Sequence, residues 1–433
     1  MKLVLHFAIP LMFGNLFQQF YSMVDTVIVG RFLGTSALAA VGSTGSINFL
    51  IVGFCIGVCS GFSIPVAQSF GSKSFEDLRR FVGNILWLAV GFSLLFTVAT
   101  VALCRPILEW MDTPADIIDG AYNYIVVIFL GIPTIILYNA LASLLRALGD
   151  SRTPVVFLVV ASLLNIALDL FLILVIPMGV AGAAWATVIS QGISGLACLG
   201  FIWKKVLHIA RDDLRLRGFY LRRLLGMGVP MGLQTSITAI GSILLQASVN
   251  GLGSVAVASV TAANKLNQLF GCVFDALGVS MSTYGGQNIG ARRAERIFPG
   301  LRAGMVIGSV YSVLALLLIL FFGRPMMLLF VDSSETVIIG QAYQFMVIQA
   351  AFFIPLAGVN VIRLLVQGMG YSKLAMFAGV FEMIARGAFG LFLVPRFGFL
   401  LACFASPMAW LLADAFLIFA YCRVMRHVRQ FGR

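Results

Sequence analysis

The segment Pro154-Val-Val-Phe-Leu-Val-Val-Ala-Ser-Leu-Leu-Asn-Ile-Ala-Leu-Asp-Leu-Phe-Leu-Ile-Leu-Val-Ile176 contains one charged residue, Asp169. A helix needs about 20 mainly apolar residues to cross the hydrocarbon core of a bilayer. A strand of a membrane β-barrel would instead alternate polar and apolar side chains over about 10 residues. The segment therefore predicts a transmembrane helix that carries an acid.

Eleven other stretches of the chain have the same character. They lie at 5–30, 38–64, 82–104, 120–145, 180–203, 224–250, 255–283, 300–323, 337–366, 374–395 and 399–422. The chain as a whole is 60% hydrophobic and only 11% charged, whereas an average soluble protein is roughly a quarter charged. This composition excludes a soluble domain and a disordered chain. It predicts an all-α polytopic membrane protein with twelve transmembrane helices.

Basic residues are concentrated in alternate loops. Of the 29 Lys and Arg residues, 22 lie in one set of loops and the termini, and only four lie in the other set. Because cytoplasmic loops carry the excess of Lys and Arg, we expect a multi-pass protein of the inner or plasma membrane with both termini in the cytoplasm. The net charge of +12 then reflects topology, and we expect contact with membrane lipids but not with nucleic acid.

The two halves of the chain are similar at an offset of about 220 residues. The matching segments are Pro10 and Pro230, Gln68-Ser69-Phe70-Gly71 and Gln287-Asn288-Ile289-Gly290, and Gly149-Asp150-Ser151 and Gly370-Tyr371-Ser372. With six spans each, both halves enter the membrane in the same sense, which predicts a pseudo-two-fold axis along the membrane normal. Two such lobes can rock around a central cavity, as alternating access requires.

This repeat divides the chain into four predicted parts. Residues 1–203 form an N-lobe with helices 1–6, and residues 224–422 form a C-lobe with helices 7–12. Residues 204–223 are expected to join the lobes loosely as a basic cytoplasmic linker, and residues 423–433 to form a basic cytoplasmic tail.

Acidic residues within the spans are the exceptional feature of this sequence. Asp25, Asp169, Asp275, Glu382 and Asp414 all lie inside predicted helices. An ionised carboxylate in hydrocarbon costs a few kcal/mol or more, so each of them needs a cationic partner, a proton or water. Asp414 has no evident partner in its own helix.

The acids of the second half have basic residues nearby. Glu382 and Arg386 are four residues apart, so they share a helix face and can pair. Lys265 and Asp275 are ten apart, close to three turns, and are expected to find partners on other helices. Arg363 lies near the end of its span, and we expect it to extend toward the interface.

The acids of the first half have no such neighbours. Asp25 lies deep in the first span, and Asn165 and Asp169 are four apart on the fifth, so both point the same way. No span of this half contains Lys or Arg away from its ends. A proton or a hard cation such as Na⁺ is then the natural neutralising group.

The repeat does not duplicate this arrangement. At the second-half offset, Asn165 corresponds to Arg386 and Asp169 to Gly390. Asp25 corresponds to a position near Leu244 and Leu245. The sequence therefore predicts one lobe with ion chemistry and another with an internal Glu–Arg pair.

Short motifs along the chain support a family resemblance. They are Ile9-Pro10, Asn15, Gln18, Asp25, Gly30, Leu33-Gly34, Ala39-Ala40-Val41-Gly42 and Gly286-Gln287-Asn288-Ile289-Gly290-Ala291. Together they resemble the MATE (multidrug and toxic compound extrusion) family, and its DinF-like members in particular. The resemblance implies twelve-helix antiporters that export organic, often cationic, compounds in exchange for Na⁺ or H⁺.

The resemblance also implies a set of site residues. In DinF-like members the first lobe uses an acid on helix 1, an Asn and an Asp four apart on helix 5 and a Thr on helix 6, which here would be Asp25, Asn165, Asp169 and Thr187. Asn139 on helix 4 resembles a further member of this polar cluster. NorM-like members place an acid on helix 7. This chain has none there, so a second-lobe cation site of that type is not expected.

These features bear on four functions. The main hypothesis is a cation-coupled efflux antiporter for small organic compounds, monomeric, without a cofactor and without enzymatic activity. A flippase for lipid-linked precursors is the alternative, and it predicts a cationic cavity. A polytopic membrane transferase would need carboxylates for Mg²⁺ and diphosphate, and a major-facilitator antiporter would need a basic motif between spans 2 and 3.

Overall fold

The computed structural model describes residues 1–111, 113–206 and 210–431, apart from the side chains at positions 35, 205, 206 and 431. No β-strand occurs among these residues. Contacts divide the chain into two compact units. One comprises Phe13–Gly232, and the other comprises Met1–Met12 together with Leu233–Arg433.

Sixteen α-helices follow one another in the part of the chain that the structure describes. In the first half they are α1 (Lys2–Leu33), α2 (Thr35–Ser43), α3 (Gly45–Gly71), α4 (Phe75–Trp110), α5 (Ile118–Leu130), α6 (Ile132–Ala147), α7 (Arg152–Leu170) and α8 (Val180–Phe201). In the second half they are α9 (Gly218–Asn250), α10 (Ser254–Gly290), α11 (Ile297–Met327), α12 (Thr336–Ala351), α13 (Phe353–Gly368), α14 (Ser372–Ala388), α15 (Val394–Phe397) and α16 (Phe399–Phe431).

Nine stretches of helix in the described residues are long and apolar enough to cross a membrane. The pairs α5–α6 and α12–α13 pass the same test together and bend by 47° and 52° at their junctions, which gives eleven crossings if each pair is one span. The twelfth predicted span corresponds to α10, which is 37 residues long but more polar than the others. The prediction of an all-α polytopic fold is confirmed.

Each half repeats the same irregularities at matching positions. A π-helical turn follows α7 at Phe171–Val175 and follows α14 at Phe389–Leu393. The left-handed residues Gly34 and Gly253, with φ of 88° and 98°, precede α2 and α10. Glycine adopts this conformation without the steric cost that a Cβ would impose. The backbone thus repeats at the level of individual turns.

Helix α4 shows where the bilayer lies along the first unit. Its exposed tryptophans are Trp87 and Trp110, which are 51% and 78% exposed and 23 residues apart. That separation is about 35 Å at 1.5 Å per residue, close to the hydrocarbon thickness of roughly 30 Å. Between Trp87 and Arg105 the large exposed side chains are apolar: Val90, Leu94, Leu95, Val98 and Leu103. The exposed charged residues Arg105 and Glu109 follow, so the apolar surface begins at Trp87 and ends before Arg105. Tryptophan is enriched at both membrane–water interfaces, and Trp87 and Trp110 lie at and just beyond the two ends of this surface.

The linker is more ordered than the sequence indicated. Its described part contains a 3-10 turn, Arg211–Leu214, that hydrogen-bonds to α4. That the linker joins the two lobes loosely stays a prediction. The residues 207–209, among them His208, lie outside the described part of the chain. Helix α16 continues through most of the predicted tail, 423–433, as far as Phe431.

Backbone-to-backbone packing ties the start of α9 to the first unit. A Cβ added at Gly61 of α3 would lie 2.5 Å from the Cα of Gly228. No side chain larger than hydrogen fits at this crossing without a shift of the backbone. The two helices therefore approach more closely than ordinary side-chain packing would permit.

Candidate functional site

The predicted acidic site of the first unit is assembled from three helices. Helix α1 carries Asp25, α7 carries Asn165 and Asp169, and α8 carries Thr187. Asp169 and Asn165 are 0% and 1% exposed, and Asp25 is partly buried. The carboxyl groups of Asp25 and Asp169 lie within hydrogen-bonding range of each other. The four-residue spacing on α7 correctly predicted that Asn165 and Asp169 share a face.

Asn165 links the acid to helix α8. In the amide orientation that satisfies both polar atoms, its Nδ2 donates to Asp169 Oδ2 at 3.3 Å and its Oδ1 accepts from the backbone N–H of Thr187 at 3.2 Å. The hydroxyl of Thr187 also donates to the carbonyl of Ala183 at 3.2 Å. The amide thus orients one carboxyl oxygen and leaves the other free.

The remaining carboxyl oxygens of the site are unsatisfied. Asp25 Oδ1 and Asp169 Oδ1 are buried, and neither has a hydrogen-bond partner. Among the described residues, neither acid takes part in an ion pair with Lys, Arg or His. Two adjacent carboxyl groups with buried free oxygens and no basic partner are suited to share a proton or to bind a small cation.

Four further polar residues surround the two acids. The hydroxyl of Tyr21 interacts with the amides of Gln18 and Gln191 and lies close to both carboxyl groups. Tyr124 of α5 also lies near Asp25 and Asp169. The helical period could have identified Tyr21, one turn before Asp25, and Gln191, one turn after Thr187. Tyr124 carries no such signal, because only the fold brings α5 to this site.

Asn139 has no described contact with this cluster. Its side chain donates instead to the backbone carbonyl of Ile135 in its own helix, at 2.8 Å. Its membership of the site stays a prediction.

The second unit contains a buried ion-pair cluster centred on Glu382. Arg386 lies 3.3 Å from Glu382 Oε2, which confirms the predicted pair, and Arg363 lies 2.9 Å from Oε1. The Glu382 side chain is 3% exposed and those of Arg363 and Arg386 are 14% and 9% exposed. The expectation that Arg363 extends toward the interface was therefore wrong, because its guanidinium is held by an acid on the next helix.

The other charges of this unit are arranged differently. Asp275 and Asp414 both lie close enough to Arg363 for an electrostatic interaction with its guanidinium group. Lys265, for which a partner was expected, makes no ion pair among the described residues and is exposed. The expectation for Lys265 was thus wrong, whereas Asp275 does have a basic neighbour on another helix.

Helix α10 has a polar exposed face. Between Ala256 and the end of the helix, every exposed side chain is polar: Thr261, Asn264, Lys265, Gln268 and Asp275. Their spacing places them on one side of the helix. We name these five residues the polar stripe. A stripe of this composition is incompatible with lipid contact and indicates contact with water.

The repeat preserves the geometry of the first-unit site but not its chemistry. Gly390, the counterpart of Asp169, packs against the backbones of Leu244 and Leu245, the counterparts of Asp25. A Cβ at Gly390 would lie 3.3 Å from the carbonyl oxygen of Leu244. The two equivalent positions therefore meet in both units, with carboxyl groups in one and close apolar packing in the other.

Comparison with known proteins identifies the family. A family model described as MatE matches residues 10–171 and, a second time, residues 230–391. The chain belongs to the MATE family. The two matches are offset by 220 residues, the offset seen in the sequence, so the predicted duplication is confirmed.

Individual MATE relatives agree with this assignment. The chain is 32% identical over 343 residues to the probable multidrug resistance protein YoeA of Bacillus subtilis (strain 168), covering 77% of this chain and 74% of the relative. It is 27% identical over 331 residues to DNA damage-inducible protein F of Escherichia coli (strain K12), covering 73% and 70%.

A solved structure shares the fold. It is described as the outward-facing conformation of a multidrug resistance MATE family transporter of the MOP superfamily, and it matches with a TM-score of 0.92 at 21% identity, over 99% of this chain and 96% of that one. The fold is accordingly that of MATE transporters, whose solved structures have twelve membrane helices in two lobes. The protein is an integral membrane transporter of the multidrug efflux type and not an enzyme.

Proposed function

We propose that this protein is a secondary active antiporter that exports organic, amphipathic or cationic compounds in exchange for Na⁺ or H⁺. The observation that carries the proposal is the contact between Asp25 and Asp169, two acids with free buried oxygens. We further propose that the protein is a monomer of the cell membrane, surrounded by lipid, with both termini in the cytoplasm.

The carboxyl pair can couple ion entry to a conformational change. Two carboxylates side by side in a water-poor site repel each other, so at least one must be neutralised. A proton or Na⁺ relieves this repulsion and favours the state in which the helices carrying Asp25 and Asp169 stay together. An ion drives transport only through a difference in its affinity for the two states. Separation of α1 from α7 would supply that difference.

The neutral oxygens of the site determine which ion fits. Carboxylate, amide and hydroxyl oxygens are the ligands preferred by hard cations. Thr187 supplies a hydroxyl oxygen, and Asn165 supplies an amide oxygen once its amide turns from the orientation in which Nδ2 donates to Asp169. A proton needs only the carboxyl pair. Replacement of the neutral groups therefore discriminates between the two ions, whereas replacement of an acid affects both.

The polar stripe of α10 supports a route for the transported compound. Beside it lies a cavity of about 150 Å³ whose walls come from four helices: Ser242, Leu245, Gln246, Val249, Val260, Asn264, Phe345, Ala402 and Ser406. Asn264 belongs to both the stripe and the cavity. A compound with an apolar ring and polar substituents matches this mixed lining.

The flippase alternative is not favoured. It requires several free cationic groups to hold a pyrophosphate, but the guanidinium groups of Arg363 and Arg386 are both paired with Glu382. Of the three basic residues predicted inside the spans, only Lys265 makes no ion pair with a described residue. The comparisons with multidrug resistance proteins point the same way.

Transport in vesicles tests the proposal. The purified protein would be reconstituted, and export of a fluorescent organic cation such as ethidium would be driven separately by a Na⁺ and by a pH gradient. We expect Asp169→Asn, which is nearly isosteric, to abolish gradient-driven export. Asp332→Asn, which removes an exposed loop acid, should leave it intact. Full activity of Asp169→Asn would refute the site, and export without any gradient would refute antiport.

A second variant identifies the ion. Thr187→Val keeps the shape of the side chain and removes its hydroxyl oxygen. For a Na⁺-coupled protein we expect a higher Na⁺ concentration for half-maximal transport, whereas for an H⁺-coupled protein the pH dependence should stay unchanged. If both variants behaved as wild type under both gradients, coupling would have to reside elsewhere.

A further inference from the structure

The linker docks on the first unit through a dense set of hydrogen bonds. The side chain of Asp213 accepts a hydrogen bond from Arg79 Nε at 3.2 Å and another from the backbone N–H of Ala210, in the same turn of the linker, at 2.9 Å. The hydroxyl of Tyr220 donates to Asp77 at 2.6 Å. We name residues 210–223 the strap. Both of its ends are anchored to the first three turns of α4.

The middle of the strap is anchored just as firmly. Asn84, which is 0% exposed, donates to the carbonyl of Arg215 at 3.3 Å and accepts from the N–H of Arg217 at 3.2 Å. A Cβ at Gly83 would lie 2.1 Å from the carbonyl oxygen of Asp213. The strap therefore lies directly on the backbone of α4, and this backbone packing determines which of its side chains face outward.

The strap sits at the level of a membrane boundary. Trp87 Nε1 donates to the carbonyl of Leu214 at 2.8 Å, and Trp87 lies at the start of the exposed apolar surface of α4, before Val90 and Leu94. Helix α4 has 36 residues, about 54 Å in length, so its first turns extend beyond a hydrocarbon core of roughly 30 Å. These are the turns that hold the strap.

The outward surface of the strap is both apolar and basic. Leu216 and Phe219 are 57% and 65% exposed, although the linker is otherwise polar. Arg211 and Arg222 are exposed and form no ion pair with any described residue. Five arginines against two aspartates leave the strap with three positive charges. Apolar side chains flanked by arginines at an interface are typical of surfaces that bind anionic lipid.

We propose that the strap is a binding site for the headgroup of an anionic phospholipid. Arg211 and Arg222 would bind the phosphate oxygens, and Leu216 and Phe219 would enter the boundary between headgroups and acyl chains. Asp212 does not compete for these two arginines, because Arg215 and Arg217 contact it at 3.1 Å and 2.9 Å. The proposal is independent of the transported compound and of the coupling ion.

Native mass spectrometry of the purified full-length chain in a neutral detergent tests the proposal, with dioleoyl-phosphatidylglycerol as the added lipid. The test variant is Arg211→Gln with Arg222→Gln. A basic residue near an anionic surface strengthens binding by about five-fold, so losing two should weaken lipid retention about thirty-fold. Leu216→Ser with Phe219→Ser should weaken retention of phosphatidylglycerol and phosphatidylcholine alike.

The matched control is Arg292→Gln with Arg302→Gln, which removes the same charge from exposed positions in the other unit that form no ion pair with any described residue. It should retain phosphatidylglycerol within about two-fold of wild type. Equal losses in the control and the test variant would overturn the site. So would displacement of the lipid by an excess of glycerol 1-phosphate, because the strap would then recognise free phosphate and not a lipid.

Discussion

Replacement of Glu382 by Gln tests how much the buried ion pairs of the second unit contribute to its free energy of unfolding. Glu382 is 3% exposed and holds two guanidinium groups, at 2.9 Å and 3.3 Å. Glutamine preserves shape and some hydrogen bonding but leaves Arg363 and Arg386 without a countercharge on this helix. Removal of one partner from a buried ion pair costs about 3–5 kcal/mol. We expect Glu382→Gln to lower the free energy of unfolding by about that amount.

The assay is reversible unfolding in mixed detergent–SDS micelles, with Glu382→Gln, Arg386→Gln and the double variant measured together. The double variant should lose less free energy of unfolding than the two single variants lose together. The reason is that it also removes the Arg386 charge that Glu382→Gln alone would leave unpaired. Asp119→Asn is the control. Its pair with Arg105 is shorter, at 2.7 Å, but Asp119 is 80% exposed, so solvent screens it and little change is expected. A change below about 0.5 kcal/mol in Glu382→Gln would refute the reasoning.

Two further variants test the strap contact and the polar stripe. Gly83→Ala should free the strap from α4, because the added methyl group would clash with the carbonyl of Asp213, and limited proteolysis should then cleave the linker faster. Gly91→Ala, on the same helix in open space, should leave proteolysis unchanged. In a background without reactive cysteines, Gln268→Cys should react with a charged, membrane-impermeant thiol reagent, whereas Leu317→Cys, on an apolar exposed surface, should not. Equal labelling would contradict a water-facing stripe.

Hydropathy and local spacing predicted most of the fold and part of the site. Long apolar runs are sufficient to locate spans, because the bilayer imposes their length. Residues four apart share a helix face, which correctly grouped Asn165 with Asp169 and Glu382 with Arg386. These features depend only on the helical period.

Contacts between helices could not be predicted in the same way. Nothing in the sequence around Arg363 indicates that Glu382, on the next helix, holds its guanidinium. Likewise, Tyr124 gives no local sign that it lies beside the two acids. Helix ends were also placed too far inward, since the polar first turns of α4 lack the hydrophobicity that marks a span. Those turns hold the strap, so its order was missed for the same reason.

The close packing at Gly390 limits how the second unit could change during evolution. A carboxylate at this position would meet Ser248 Oγ, which lies 2.8 Å from the position of an added Cβ, as well as the backbone of α9. A single substitution therefore places an acid there only if Ser248 and the backbone of α9 shift. Close packing at one glycine thus favours a duplicated chain in which one half alone carries the paired carboxyl groups.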